Sequence, residues 1–574
     1  MKNLYVVSVI SGCLMACNHG RPIKEVKSMA NTIACVVPAT TDKEWYTSGK
    51  KAPLFDGLQG IHFTISTPVK AAQVYFNQGM MLSYGFNHAE AARSFFEATR
   101  LDSTCAMAYW GLAYVLGPNY NAGMESDNFQ RAYEAVVKAK ALSHQSSSKE
   151  QALIAALTTR YVKEPPADRS ALDSAYAAAM KKVYTRFPDD PDIGALYAEA
   201  MMNLHPWDLY EKRTQAPKAW TPAIVAVLEH LMKLHPTHPG AHHFYIHAME
   251  ASSQPEKALH SAKLLDTLVP GAGHLLHMPS HVYIRTGDYH EGSLSNIRAL
   301  ATDSVYTIAC HAQGAYPLAY YPHNYHFLAA TATLEGHSTL AWQTAVRLQQ
   351  HTSEEIMGMP GWGTLQHYYT IPFYIAAKLS MWDTILALPS PENNLVYPRA
   401  IWHYAKGLAF LGRHEVTKAQ KELDSLHVLA ADTILRSLTI WNINTSADLV
   451  QIAGKVLAAG IAVQQQSFDT AISLLKEAVA MEDHLNYNEP PDWFFSVRHH
   501  LGAVLLKAGQ YRQAEIVYRK DLEIWRKNGW ALIGLHNALV LQKRNEEAKE
   551  VLAAFESAWQ YADVKINSSS NIAP

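Results

Sequence analysis

The chain has 574 residues, 48% hydrophobic and 17% charged, a composition that excludes a largely disordered polymer. Lys plus Arg (49) nearly balances Asp plus Glu (51) without any basic block, which removes the electrostatic footprint of a nucleic-acid binder. Five cysteines are too few for a disulfide scaffold and the compositional outlier is 29 histidines, while no apolar run reaches the roughly 18 residues of a membrane span.

The opening MKNLYVVSVISGCLMAC places Lys2 before an apolar stretch from Leu4 to Ala16 that is too short to span a bilayer, the layout of a secretory signal. Its ending, Leu14-Met15-Ala16-Cys17, resembles a bacterial lipobox. Residues 1–16 are therefore expected to be removed and Cys17 to carry a lipid anchoring a soluble body; ordinary cleavage with Cys17 as a bystander is the plain alternative. Cys13 leaves with the signal, and Cys35, Cys105 and Cys310 remain, an odd set with no close pair and no expected disulfide. Residues 17–66 read as a tether and N-terminal extension, polar at first and without clear periodicity.

From about Ala71 onward Ala, Leu, Met and Tyr recur at i, i+3 and i+4, Gly or Pro punctuates the pattern, and strand-like alternation is scarce. A helix–turn–helix template of about 34 residues, with small residues at positions 8 and 20, fits several windows. In YFNQGMMLSYGFNHAEAARSFFEATRLD it places Gly79 at 8, Ala91 at 20, Phe95 at 24 and Ala98 at 27; in RHHLGAVLLKAGQYRQAEIVYRKDLEI it places Gly502 at 8, Gly509 at 15, Ala514 at 20 and Tyr518 at 24. This is the tetratricopeptide (TPR) pattern. One phase held at both ends of the chain predicts an all-α, TPR-like helical-repeat solenoid, a superhelix whose first helices line a concave wall. The expected blocks are N-terminal repeats over 67–190, central repeats over 191–390 and C-terminal repeats over 391–565, followed by a disordered tail at 566–574.

The histidines share the repeat's phase. His243 and His277 fall at position 5 and His247 and His281 at position 9 of adjacent frames, with Glu250 at 12. His274, His323 and His367 fall at position 2 and His326 at 5. At roughly 100° per residue, positions 2, 5, 9 and 12 share one helical face, so eight imidazoles from four consecutive first helices are expected to project into one trough. An i, i+4 histidine pair presents two nitrogens on one face, as at His243/His247 and His277/His281. Such a set suits Zn, Cu, Fe or Ni, with Glu250 as a carboxylate ligand or general base. The residues between His243 and His247 are not those of a zinc-peptidase HExxH. A polar groove for a small ligand, or histidines satisfied structurally, are the alternatives. His205, His230, His235, His260, His403 and His500 fall off this face or outside the block, and His499 stands in a distant repeat.

The nearby tyrosines, Tyr320 among them, read mainly as core. The segment from Ser304 to Tyr321 exceeds the repeat length and is a candidate lid. Arg285, Asn324 and Gln366 are candidate hydrogen-bond donors to a ligand.

The segments HPGAHHFYIHAMEAS, GAGHLLHMPSHVYIRTGDY and YYPHNYHFLAA resemble those of a family of bacterial, often exported TPR proteins, and the likeness runs over nearly the whole mature chain. Some members carry a label as components of a TonB-linked system. The resemblance implies location in the cell envelope, at the outer membrane facing the periplasm or the surface, and envelope-protein partners; it implies no reaction. Three functional readings follow: a metal-binding repeat protein, a metal-dependent hydrolase or oxidoreductase using the same site, and a metal-free scaffold of an envelope complex.

Overall fold

The structure, a computed structural model, describes residues 43–572 apart from 213, 311–319 and 360. The signal segment, Cys17 and Cys35 lie outside the described residues, as do residues 311–319 of the candidate lid. The described chain is all-α apart from one two-stranded ribbon, in which β1 (Thr439–Ile440) pairs antiparallel with β2 (Asn444–Thr445).

Helices come in antiparallel pairs, such as Lys70–Tyr84 with His88–Leu101, Pro239–Met249 with Leu259–Leu268, Tyr321–Leu334 with Ser338–Gln350, and Gly529–Leu541 with Asn545–Ala558. Each packs chiefly on its neighbours in sequence, which is the arrangement of a TPR-type solenoid. The small residues of the repeat explain how the pairs approach. A Cβ on Gly79 would stand 2.7 Å from the Phe95 ring, and one on Gly111 of the following pair would overlap the same ring. Tyr518 nests in the same way between Gly502 and Gly534. One aromatic side chain thus fills the gap between its own repeat and the next, and the two glycines make the gap.

The array doubles back on itself, which the repeat pattern did not predict. Tyr289 Oη donates to the Arg526 carbonyl at 2.8 Å, Lys527 pairs with Asp288 at 2.6 Å, and Trp530 Nε1 donates to the Thr333 carbonyl at 3.2 Å. The Asp563 carboxylate accepts from the N–H groups of Ser338 (2.6 Å) and Thr339 (3.0 Å). The C-terminal repeats are thereby fastened to the central ones, and the loop 483–497 is carried over the histidine-bearing helices.

Three expectations need correction. Within the extension at 17–66, Ala52, Leu58, Ile61, Phe63 and Ile65 are buried against the first repeats, so its second half is part of the fold. The tail is seated rather than disordered: Ser569, Ser570 and Ile572 are 0%, 4% and 5% exposed. Among the described residues one helix, Ser446–Gln464, is long and apolar enough to cross a membrane, against the expectation of none; 78% of its apolar window is buried inside the protein, where it serves as a core helix.

Candidate metal centre

Four helical segments bring the histidines together. Pro239–Met249 carries His243 and His247, Gly273–His277 carries His274 and His277, Pro279–Thr286 carries His281, and Tyr321–Leu334 carries His323. Pro279 has no N–H to donate, so the helix is interrupted at Met278; His281 N–H instead reaches the Met278 carbonyl at 3.2 Å. The interruption leaves His277 and His281 side by side, ring centres 4.9 Å apart.

Two triads result. The ligand atoms of His243, His247 and His274 lie within 4.8 Å of one another, as do those of His277, His281 and His323. The triads adjoin: His247 and His281 have ring centres 6.0 Å apart, and His274 and His277 5.9 Å. Glu250, His281 and Glu489 form a third set within the same span. All of these residues are buried except half-buried His323.

Hydrogen bonding sets which nitrogen of each ring is free. His243 Nδ1 lies 2.5 Å from the Tyr84 carbonyl, and His247 Nδ1 lies 2.8 Å from Glu250 Oε1. His277 Nδ1 lies 2.7 Å from Asn296 Oδ1, and the Asn296 amide nitrogen donates to the Gly292 carbonyl at 2.7 Å, which fixes Oδ1 as the acceptor. His281 Nδ1 stands 2.5 Å from Glu250 Oε2 and 3.2 Å from Glu489 Oε2, an ion pair rather than an aligned hydrogen bond. With Nδ1 thus engaged, Nε2 is the lone-pair nitrogen of each neutral ring. Nε2 of His243 and of His247, and both ring nitrogens of His274, are buried without a hydrogen-bond partner among the described residues. Leaving such groups unpaired is costly. An ion bound among them would supply the missing partner.

The electrostatics agree with this arrangement. Burial, reinforced by neighbouring imidazoles, holds His243, His274 and His277 well below the usual histidine range, so they are neutral and able to ligate. Burial also lowers His247, against the pull of Glu250. His281 is the exception: burial would lower it, but Glu250 and Glu489 outweigh burial and raise it to about 9. Glu250, whose burial would raise it, is held down at about 2 by His281 and His247. Burial pushes the Glu489 carboxyl up.

A cavity of about 120 Å³ opens beside the triads, with His247, His274, His281 and His323 on its wall. Its other walls come from distant segments: Trp207 from the N-terminal side, Trp441 from the β1–β2 turn, and Asn488 and Glu489 from loop 483–497. Trp207 (φ 58°) and Trp441 (φ 52°) both sit in the left-handed backbone region, which bulky residues enter only when tertiary contacts hold them there. Tyr320, at the end of the candidate lid, packs edge-on against His274 at 5.1 Å.

Not every expected residue belongs to this site. His326 and His367 pair with each other, ring centres 5.3 Å apart, and His326 stacks on Phe494 while His367 Nδ1 meets Tyr397 Oη at 2.9 Å. His367 stands on the next first helix, Gly363–Lys378, and His326, although on the same helix as His323, turns towards His367 and Phe494, so these two leave the eightfold trough. Asn324 donates to Asp303 at 2.7 Å and Gln366 to the Met357 carbonyl at 2.7 Å, while Arg285 reaches the Ser252 carbonyl at 3.3 Å and lies 4.0 Å from Glu489. Both Glu250 oxygens are engaged by imidazoles, which makes it a residue that orients His247 and His281 instead of a free general base. Glu489, Trp207 and Trp441 were missed in sequence. No periodic signal marks them.

No protein-family model and no curated protein matches the sequence. Among solved structures the chain is similar to a human IFIT1 dimer with m7Gppp-AAAA (12% identity, covering 87% of this chain and 92% of that one, TM-score 0.30). It is also similar to the APC/C hetero-tetramer Cut9–Hcn1 (12%, 86% and 74%, TM-score 0.29) and to yeast Tom70 (11%, 79% and 92%, TM-score 0.26). TM-scores this low carry no inference about what the chain binds.

Proposed function

We propose that the chain is an envelope-anchored helical-repeat protein whose chamber binds a transition metal, of the class Zn, Cu, Fe or Ni, through His243, His247, His274, His277, His281 and His323. One observation carries the reading: four imidazoles have Nδ1 committed to acceptors while Nε2 is left to a neighbouring nitrogen or to nothing. Carboxylates and carbonyls behind ligating histidines fix ring orientation and raise basicity. Glu250 does this for two rings at once, one in each triad. Nitrogen-rich donor sets suit the borderline metals named and disfavour Mg and Ca.

The cavity favours a second reading, a metal-dependent enzyme, because structural sites are closed whereas catalytic ones keep an open position. A bound metal would supply Lewis acidity or electron transfer there. The chain's own contribution is to exclude water with Trp207, Trp441 and Tyr320 and to hold the imidazoles through Glu250 and Glu489.

Elemental analysis of untagged protein tests the reading. Stoichiometric metal in the wild type, lost in a His247→Ala/His281→Ala variant that retains its helicity, is the expected result. Metal-free protein that takes up none of the four metals would overturn it and leave the scaffold reading of a repeat fold. Envelope anchoring is tested separately by Cys17→Ala, which should release the chain from the membrane fraction.

A further inference from the structure

The last described residues, Asn567–Ile572, have no apolar periodicity and no helix, yet Ser569, Ser570 and Ile572 among them are buried. Their order comes from what they touch. Asn537 Nδ2 donates to the Asn567 carbonyl at 2.8 Å, and Lys378 Nζ donates to the Ser569 carbonyl at 3.1 Å. Ser569 Oγ donates to the His499 carbonyl at 2.8 Å and lies 2.7 Å from Tyr518 Oη. Ser570 Oγ lies 2.6 Å from His500 Nδ1, and Asn571 Nδ2 donates to Ser380 Oγ. Ile572 is buried in the same apolar core as Tyr404, Leu408 and Trp493 and lines a small cavity with them.

The polar contacts come from three first helices, Gly529–Leu541, Arg498–Lys507 and Gly363–Lys378, from the turn after the last of them, and from Tyr518 on Tyr511–Ile524. The segment is bent, with Ser568 Oγ donating to the Ser570 carbonyl at 2.9 Å and the Ile572 N–H to Ser570 Oγ at 3.3 Å, and it touches each of these helices in turn. The recognition has two parts: main-chain carbonyls are met by Asn537 and Lys378, and small hydroxyl side chains fit where nothing larger has room, ending in one aliphatic anchor. Lys378 is suited to a carbonyl rather than to a carboxylate partner. Burial lowers its amine to about 7 against the pull of Asp521, and it already sits 4.0 Å over the Trp530 ring and 2.9 Å from His499 Nδ1.

We propose that the inner face of the C-terminal repeats is a polypeptide-binding groove, separate from the histidine chamber, for a bent Ser-Ser-Asn-Ile segment, and that the chain's own tail occupies it in cis as a displaceable ligand. The Asp563 contacts hold the tail's root four residues before Asn567, so the tether is short. A short tether gives the resident segment an effective concentration on the order of millimolar, so an added peptide competes poorly until the tail is unseated.

The test uses the full-length chain with Ser569→Trp and Ile572→Asp, which obstruct the seat of the tail without shortening it, and a fluorescein-labelled peptide KINSSSNIAP. Anisotropy should show saturable binding to this variant and binding weakened by roughly 100-fold in the wild type, the expected effect of a tethered competitor. Adding Lys378→Met and Tyr518→Phe to the variant should abolish capture, and a scrambled peptide should not bind. No binding by a variant with wild-type helicity and Tm overturns the proposal, as does equal binding by wild type. Should the variant fail to fold, hydrogen exchange on the wild type decides: excess free peptide must accelerate exchange of the tail amides, and unchanged protection refutes displacement. A concentration-dependent dimer that the tail substitutions dissolve would show the seat filled by a second copy, against the cis assignment.

Discussion

His277 Nε2 and His281 Nε2 lie 3.0 Å apart, one turn from each other across the break before Pro279. Asn296 requires a proton on His277 Nδ1, and two carboxylates require one on His281 Nδ1. Two bare Nε2 lone pairs at that distance would repel, so one further proton belongs between them. His281, raised to about 9 by Glu250 and Glu489 in spite of burial, is the ring that carries it. The metal-free chamber thus holds a proton where a cation is proposed to bind.

Metal loading should therefore expel that proton. Calorimetric titration at pH 7.5 in buffers of different ionisation enthalpy should report release of about one proton per equivalent of metal bound through His281. Release should vanish in His281→Ala. Identical heats in all buffers would contradict the shared proton.

Replacing Glu250 by Gln keeps its shape and removes its charge. The buried His281 imidazolium then loses its nearest counterion, and breaking a buried pair by neutralising one partner costs about 3–5 kcal/mol. The expected outcome is a large loss of stability in urea melts of metal-free protein. His281 should also titrate several-fold more readily towards neutrality, read from its NMR shift against pH.

The departure of His326 and His367 from the chamber gives an internal control. His326→Ala should leave metal content unchanged while destabilising the fold by about 2–4 kcal/mol, since it empties a buried site against Phe494 and Tyr368. Elemental analysis and a thermal melt on the same sample check both halves. Loss of metal would return His326 to the site.

Several histidines away from the chamber are held neutral, chiefly by burial: His88 is lowered to about 4, His367 to about 3, and His326 and His500 well below the usual range. Their unfolded values are near 6.5. Between those limits the unfolded chain binds more protons than the folded one, so stability is present above about pH 6.5 and is lost as pH falls towards 4. Tm measured from pH 8 down to pH 4 should fall steadily over the lower part of that range. A flat profile would mean that these rings are charged in the fold.

The repeat packing makes a stability prediction of its own. Gly502→Ala places a methyl group into the Tyr518 ring, and Gly111→Ala does the same to Phe95. Each should cost about 1–3 kcal/mol by overpacking, and pairing Gly502→Ala with Tyr518→Leu should recover part of the loss in chemical denaturation.

The sequence by itself determined the helical repeat and the face on which six histidines stand, because both are periodic and local: small residues recur where helices touch, and i, i+4 spacing puts imidazoles on one side of a turn. Glycine positions 79 and 502 announced the pockets that Phe95 and Tyr518 fill. Only the tertiary structure decided which imidazoles meet. His326 shares a helix with His323 yet packs against His367 of the next first helix and against Phe494, a choice made by neighbours remote in sequence and without signature in the helix itself. The same holds for Glu489, Trp207 and Trp441, which arrive because the array doubles back, and for the tail, whose polar residues look solvent-bound until Lys378, Tyr518 and His500 supply their partners. Local pattern fixes what a helix can present. Contacts between segments far apart in sequence fix what it faces.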